Sequence, residues 1–269
     1  MTRVPLPPPA ALILALAVPA VAQTPPPAPS YAYADLADLA IKAPMVIDGA
    51  VRSVARIKPA EAAGLAPGMS RYYITLDVAA LIRGGDAIPP RVGYVLDAPA
   101  NAVPRKKQRV LVFARPVATM PDQVQLVENN GQLAWSPTTE ATVRSLAQDV
   151  ASTKSPPAIT GIGNAFHSPG TLPGEGETQI FLTTRGGPVS LSITRRQNES
   201  PTWTVALSEV VGDALPPPRR NTFLWYRLAC GLPAAVPNSL LAQLEPGDAA
   251  AVREDYAFVQ SQLGPCHAS

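Results

Sequence analysis

The sequence predicts a mainly β chain with added α: a small five-stranded barrel, then an α+β half in which an antiparallel meander precedes C-terminal helices. Three observations predict it. Pro accounts for 32 of the 269 residues. It lacks an amide donor and ends helices, so it suits short strands and turns better than long helices. Five main strand-like runs and a short sixth fill residues 45–135, the first of them interrupted by an interior Gly. After Pro156-Pro157, strand patterns come first and helical patterns follow, the order of an α+β unit. Hydrophobic residues at 46% are enough to build a core, which excludes a generally disordered chain.

The chain opens with Arg3, an apolar run over 10–18, and Ala20-Val21-Ala22. These read as the positive region, apolar region and small-residue site of a secretory signal cut after Ala22. The run is far shorter than the ~20 apolar residues of a membrane span. An uncut anchor is the alternative. No Cys near the cut could take a lipid, and no later segment is apolar enough to cross a bilayer. The Ala- and Pro-rich leader reads as bacterial, so the mature chain is expected in the periplasm or the extracellular space. Residues 23–30 form a Pro-rich, extended tether. Removal of Arg3 with the signal leaves 21 basic and 20 acidic residues. Such a balance gives no overall field to draw nucleic acid or anionic lipid, and no nucleic-acid partner is expected.

The barrel is predicted over 31–136. Leu36, Leu39 and Ala40 share a helical face that Pro44 ends. Residues 45–57 alternate after Gly49, and a Gly inside a strand marks a bulge or sharp bend. Residues 71–82 are rich in aromatic and β-branched types. Residues 91–96 and 109–115 read as further strands. Residues 123–127 are expected to pair with 132–135 through Asn129-Asn130-Gly131, an Asn-Gly hairpin signal. Across 46–51 (VIDGAV), 73–84 (YITLDVAALIRG) and 109–114 (RVLVFA) the order of features resembles secreted OB-fold domains of the netrin-like and tissue-inhibitor-of-metalloproteinase-like type. There, a hydrophobic-x-Gly-x-Val strand precedes a strand ending in hydrophobic-basic-Gly and a final hydrophobic-Val-Phe strand. The resemblance implies an OB-like barrel over 45–135. The disulfides of eukaryotic members are absent, and no inhibitor residue carries over. The C-terminal half resembles no family.

The basic cluster Arg105-Lys106-Lys107-Gln108-Arg109 sits just before a strand. It reads either as an anion or nucleic-acid contact on the barrel, helped by Tyr72 and Tyr73, or as a solvated hairpin whose Lys residues protect a strand edge; export and near-zero net charge argue against nucleic acid. Residues 137–155 form a linker helix, with Ser136 as its cap, Pro137 at its first position and Glu140 in its first turn. In the α+β domain, 156–269, strands are expected near 158–166, 178–185, 189–196 and 202–211. Helices are expected near 222–232, 238–244 and 248–263, the last capped by Asp248.

Cys230 and Cys266 are the only two Cys, and in an exported chain they are expected to pair as a disulfide. A redox-active thiol beside His267 is the alternative. The loop 166–177 (FHSPGTLPGEGE) is the most chemically dense stretch. His167, Glu175 and Glu177 could form a binding site, acid–base pair or metal site there, or simply decorate a surface loop. His-Glu-x-x-His and Gly-x-Ser-x-Gly motifs are absent, so no catalytic residue, metal ligand or cofactor is assigned. Trp135, Trp203 and Trp225 are expected to anchor the core rather than form a stacking platform. The resulting expectation is a non-catalytic binding or structural module of the cell envelope, with an envelope protein or polymer as partner. A periplasmic, hydrolase-like enzyme using the His167 loop is the alternative.

Overall fold

The computed structural model describes residues 30–85, 87–208 and 214–267. The expected signal, its cleavage site after Ala22 and the tether up to residue 29 lie outside them.

Helix α1 (Tyr33–Lys42) leads into β1 (Met45–Arg56), followed by β2 (Ser70–Arg83), β3 (Arg91–Ala98), β4 (Arg109–Val117), β5 (Met120–Leu126) and β6 (Gln132–Ala134). The first five close into an OB-like barrel in the order β1-β2-β3-β5-β4, with β4 pairing back onto β1. Every neighbouring pair is antiparallel except β3 and β5, which meet in parallel at Gly93 and Gln123. Closure needs β1 to serve two partners, and its register shifts between Asp48 and Gly49 let it bend to do so. A Cβ at Gly49 would lie 2.6 Å from the Asp77 carbonyl oxygen, so the bend requires the missing side chain. The interior is filled by residues such as Ile47, Ile74, Leu76, Tyr94, Val110 and Val112. Leu111 and Phe113, the alternate residues of β4, point outward and are equally buried.

The hairpin expected at Asn129-Asn130-Gly131 does not form. β5 and β6 both pair antiparallel with β4 and not with each other. Residues 127–131 instead bulge out opposite Phe113, whose N–H donates to Gly131 O at 2.7 Å and whose carbonyl accepts from Val127 N–H at 3.1 Å. Buried on both faces, β4 must have its backbone paired along its length, and that requirement overrides a local turn preference.

Helix α2 (Pro137–Ala151) starts as predicted, with Ser136 Oγ accepting from Thr139 N–H. The second sheet is the predicted antiparallel meander: β7 (Ile159–Pro169), β8 (Gly176–Thr184), β9 (Val189–Arg195) and β10 (Thr202–Ala206), in the order β10-β9-β8-β7. Helices α3 (Phe223–Gly231), α4 (Asn238–Leu241) and α5 (Pro246–Leu263) follow. Asp248 lies inside the first turn of α5, because Pro246 starts that helix two residues earlier than expected.

One continuous core joins the two halves. Leu36 and Leu39 of α1, Leu111 and Phe113 of β4, and Val143 and Leu146 of α2 belong to the same buried cluster as Ile180, Leu191, Trp203, Trp225 and Tyr256. Tyr226 Oη donates to Asp38 at 2.5 Å and ties α3 to α1 across it. Trp203 and Trp225 are core anchors, as expected. Among the described residues, no helix is long and apolar enough to cross a membrane.

Cys230 and Cys266 are bonded, with Cα atoms 5.0 Å apart, and close the tail after α5 onto α3. Their sequence separation of 36 corresponds to a loop-entropy contribution of about 4 kcal/mol at most. Cys230→Ser is therefore expected to lower the unfolding free energy in urea by about 2–4 kcal/mol. Alkylation of the native protein without reductant is expected to label neither Cys, and labelling of either would refute the pairing.

Candidate functional site

The β7–β8 hairpin places His167 opposite Thr178 in the ladder, and both residues face the helices. The Thr178 hydroxyl donates to Asp255 Oδ2 on α5. That commits its only proton, so its oxygen accepts from His167 Nδ1–H, 2.8 Å away. A neutral His167 then carries its lone pair on Nε2. Arg195, at the end of β9, donates from Nε to Asp255 Oδ1 and pairs through Nη1 with Glu254 at 3.1 Å. Thr178 and Asp255 are fully buried. Both carboxylate oxygens of Asp255 are thus occupied, one by β8 and one by β9. The cluster fastens the sheet to α5.

The other two residues of the predicted site go elsewhere. Glu177 is beside Thr178 on β8 and so faces the opposite side of the sheet, where its carboxylate accepts from Gln179 at 3.0 Å. Glu175 accepts from the Gln197 backbone N–H at 3.3 Å. Among the described residues, no hydrogen bond or ion pair joins His167 to either Glu. Thr178, which bonds it, and Asp255 and Arg195, which continue that network, are not among the residues the sequence singled out.

A second polar cluster holds the barrel to α2. Asp48, 1% exposed, is gripped by Arg109 through Nε at 2.8 Å and Nη2 at 2.5 Å. The Arg109 guanidinium lies 3.9 Å from the centre of the Trp135 ring and 3.3 Å from Glu140. Trp135 Nε1 donates to the same Glu140 oxygen at 2.7 Å, and Arg144 binds its other oxygen. Hydrogen bonds from Arg144 and then Trp135 hold the Glu140 carboxyl below its ordinary pKa. Asp48 raises that of Arg109.

An opening lies at the connection between β3 and β4. It is an open, mainly polar cleft of about 730 Å³, bounded by that connection, Tyr31 and β6. Arg105, Lys106 and Lys107 stand on its rim, and none has an acidic partner among the described residues. The basic cluster is thus an exposed turn leading into β4, as expected, and it also borders this cleft. Its backbone is pinned: Lys107 N–H donates to Val51 O at 2.6 Å, and Val51 N–H donates to Gln108 O at 2.9 Å. Near-neutrality of the whole chain hides an asymmetry. Residues 45–136 carry eleven Lys/Arg and seven Asp/Glu, whereas residues 156–269 carry seven and nine.

The outer face of the second sheet has a smaller groove of about 330 Å³, floored by Gln179, Ser190 and Ser192. Phe166 and Phe181 are exposed beside it, with ring centroids 5.7 Å apart. The chain matches no family model and no curated protein.

Proposed function

We propose that this chain is an exported, non-catalytic binding module of the bacterial cell envelope, secreted by cleavage after Ala22. The cleft at the β3–β4 connection carries this reading: a roomy polar opening whose cations have no acidic partner among the described residues is built like a receptor for something external. The Cys230–Cys266 bond fits an oxidising compartment. The likeness of 45–135 to netrin-like and tissue-inhibitor-of-metalloproteinase-like domains supports secretion and an OB-like barrel. It carries no ligand across. A hydrolase-like activity would draw on His167, Glu175 and Glu177, and the separate partners of these three favour the binding reading.

Two measurements test the proposal. A tagged full-length chain expressed in a Gram-negative host is expected in the periplasmic fraction, with a mass corresponding to loss of residues 1–22. The purified mature protein is expected to co-sediment saturably with washed, insoluble envelope material. A full-length precursor kept in the cytoplasm would overturn export. A protein left wholly in the supernatant would overturn envelope binding.

A further inference from the structure

We infer that the β3–β4 cleft binds an acidic polysaccharide, with Arg105, Lys106 and Lys107 reading its carboxylates. The inference rests on the binding role proposed above and names the ligand class for that site. Three consecutive cations with no acidic partner among the described residues repel one another, and the arrangement is relieved when anions sit between them.

The backbone holds them in place rather than letting them disperse. Gln108 N–H donates to Arg105 O at 3.0 Å, and the Gln108 side chain accepts from Arg105 N–H at 2.9 Å, closing a turn with Lys106 and Lys107 at its centre. Lys107 has φ of 69°, left-handed backbone that Gly or Asn adopts more readily. A long cation kept at a strained position, pinned to β1 on both sides, is a preorganised contact.

The rest of the lining selects among anions. Asn101 offers a neutral amide suited to sugar hydroxyls, and Gln108 and Gln132, whose side-chain oxygens accept from Arg105 N–H and the Tyr94 hydroxyl, offer amide N–H donors. The Tyr31 hydroxyl accepts from Ala134 N–H at 2.9 Å and keeps its own proton to donate. Tyr31 is the only aromatic in the lining, too little to stack successive nucleobases.

The test measures binding of oligogalacturonate, a carboxylated glycan, to the mature protein by calorimetry at low and moderate salt. Dextran, polyglutamate and single-stranded DNA serve as comparison probes. Wild type is expected to bind oligogalacturonate, to lose affinity as salt rises, and to ignore dextran. The Arg105→Ser, Lys106→Ser, Lys107→Ser triple variant is expected to bind about tenfold more weakly, the combined loss of three exposed charge contacts. A charge-matched variant, Arg185→Ser, Arg196→Ser, Arg253→Ser, is expected to change affinity less than about twofold. Both variants should keep the wild-type melting temperature within about 2 °C, because surface substitutions have small effects. Equal losses in the two variants would reduce the site to general charge and overturn the inference. Tighter binding of polyglutamate or DNA than of oligogalacturonate would overturn the glycan assignment. Co-sedimentation with envelope material but no oligogalacturonate binding would refute this inference alone. Absence of both would refute the binding role as well.

Discussion

Asp255→Ala is expected to lower the unfolding free energy by about 3 kcal/mol, the low end of the cost of breaking a buried ion pair. The low end applies because the Arg195 side chain is 22% exposed and keeps a second contact with the exposed Glu254. Two penalties add. Arg195 loses its buried counter-charge, and the fully buried Thr178 hydroxyl loses its acceptor. For a chain of this size the loss corresponds to a fall in melting temperature of about 6–12 °C. Asp255→Asn keeps the shape and one acceptor, so about half the effect is expected. Thr178→Val leaves one Asp255 oxygen unsatisfied, which costs about 1–3 kcal/mol. Urea unfolding of the three variants gives the comparison. A cost below about 1 kcal/mol for Asp255→Ala would show that the cluster does not fasten the sheet to α5.

That cluster also shows how far the sequence could be read. In β9 the inward residues run Val189, Leu191, Ile193, and the same period of two continues to Arg195. In α5, Val252, Tyr256 and Val259 mark the buried stripe, and Asp255 lies within it. Opposite charges on the buried faces of two elements were therefore legible as a pair. They were overshadowed by loop 166–177, where reactive residue types are dense but strand alternation sends His167 and Glu177 to opposite faces.

The barrel strands were legible because each carries its own pattern, and the bend at Gly49 because a Gly in a strand has few other reasons to be there. The β3–β5 seam was not. It joins residues thirty apart in parallel, at a single point where Tyr73 crosses over Gly93 to reach Gln123, and no local signal encodes such a meeting. The hairpin at Asn129 failed for a different reason: β4, the strand just before β5, takes both β5 and β6 along one edge. The cleft was half legible. Its cations stand out in the sequence, but the pinning to Val51 and the walls from Tyr31 and Gln132 arise only in three dimensions.

Arg109→Met carries the other large expected effect. Asp48 sits inside the sheet at 1% exposure, and Arg109 supplies both of its guanidinium contacts. Removing the cation strands a buried carboxylate, which costs about 3–5 kcal/mol for a fully enclosed pair. The Arg109 side chain is 41% exposed, so water can reach the vacated position, and about 3 kcal/mol is expected here. Replacing both partners, Asp48→Leu with Arg109→Met, removes the stranded charge and is expected to return stability to within about 1 kcal/mol of wild type. The double-mutant cycle should then show a coupling of about 2 kcal/mol or more. Its structural consequence is separate from its energy. Arg109 also stacks on Trp135 and meets Glu140 of α2, so the pair joins the barrel wall to the helix that enters the shared core. The double variant is therefore expected to be stable yet altered at this joint, with Trp135 freed from its cation and its fluorescence changed. If the double variant instead costs as much as Arg109→Met alone, the loss lies in the stacking against Trp135 and Glu140, and the buried carboxylate is not what makes Arg109 necessary.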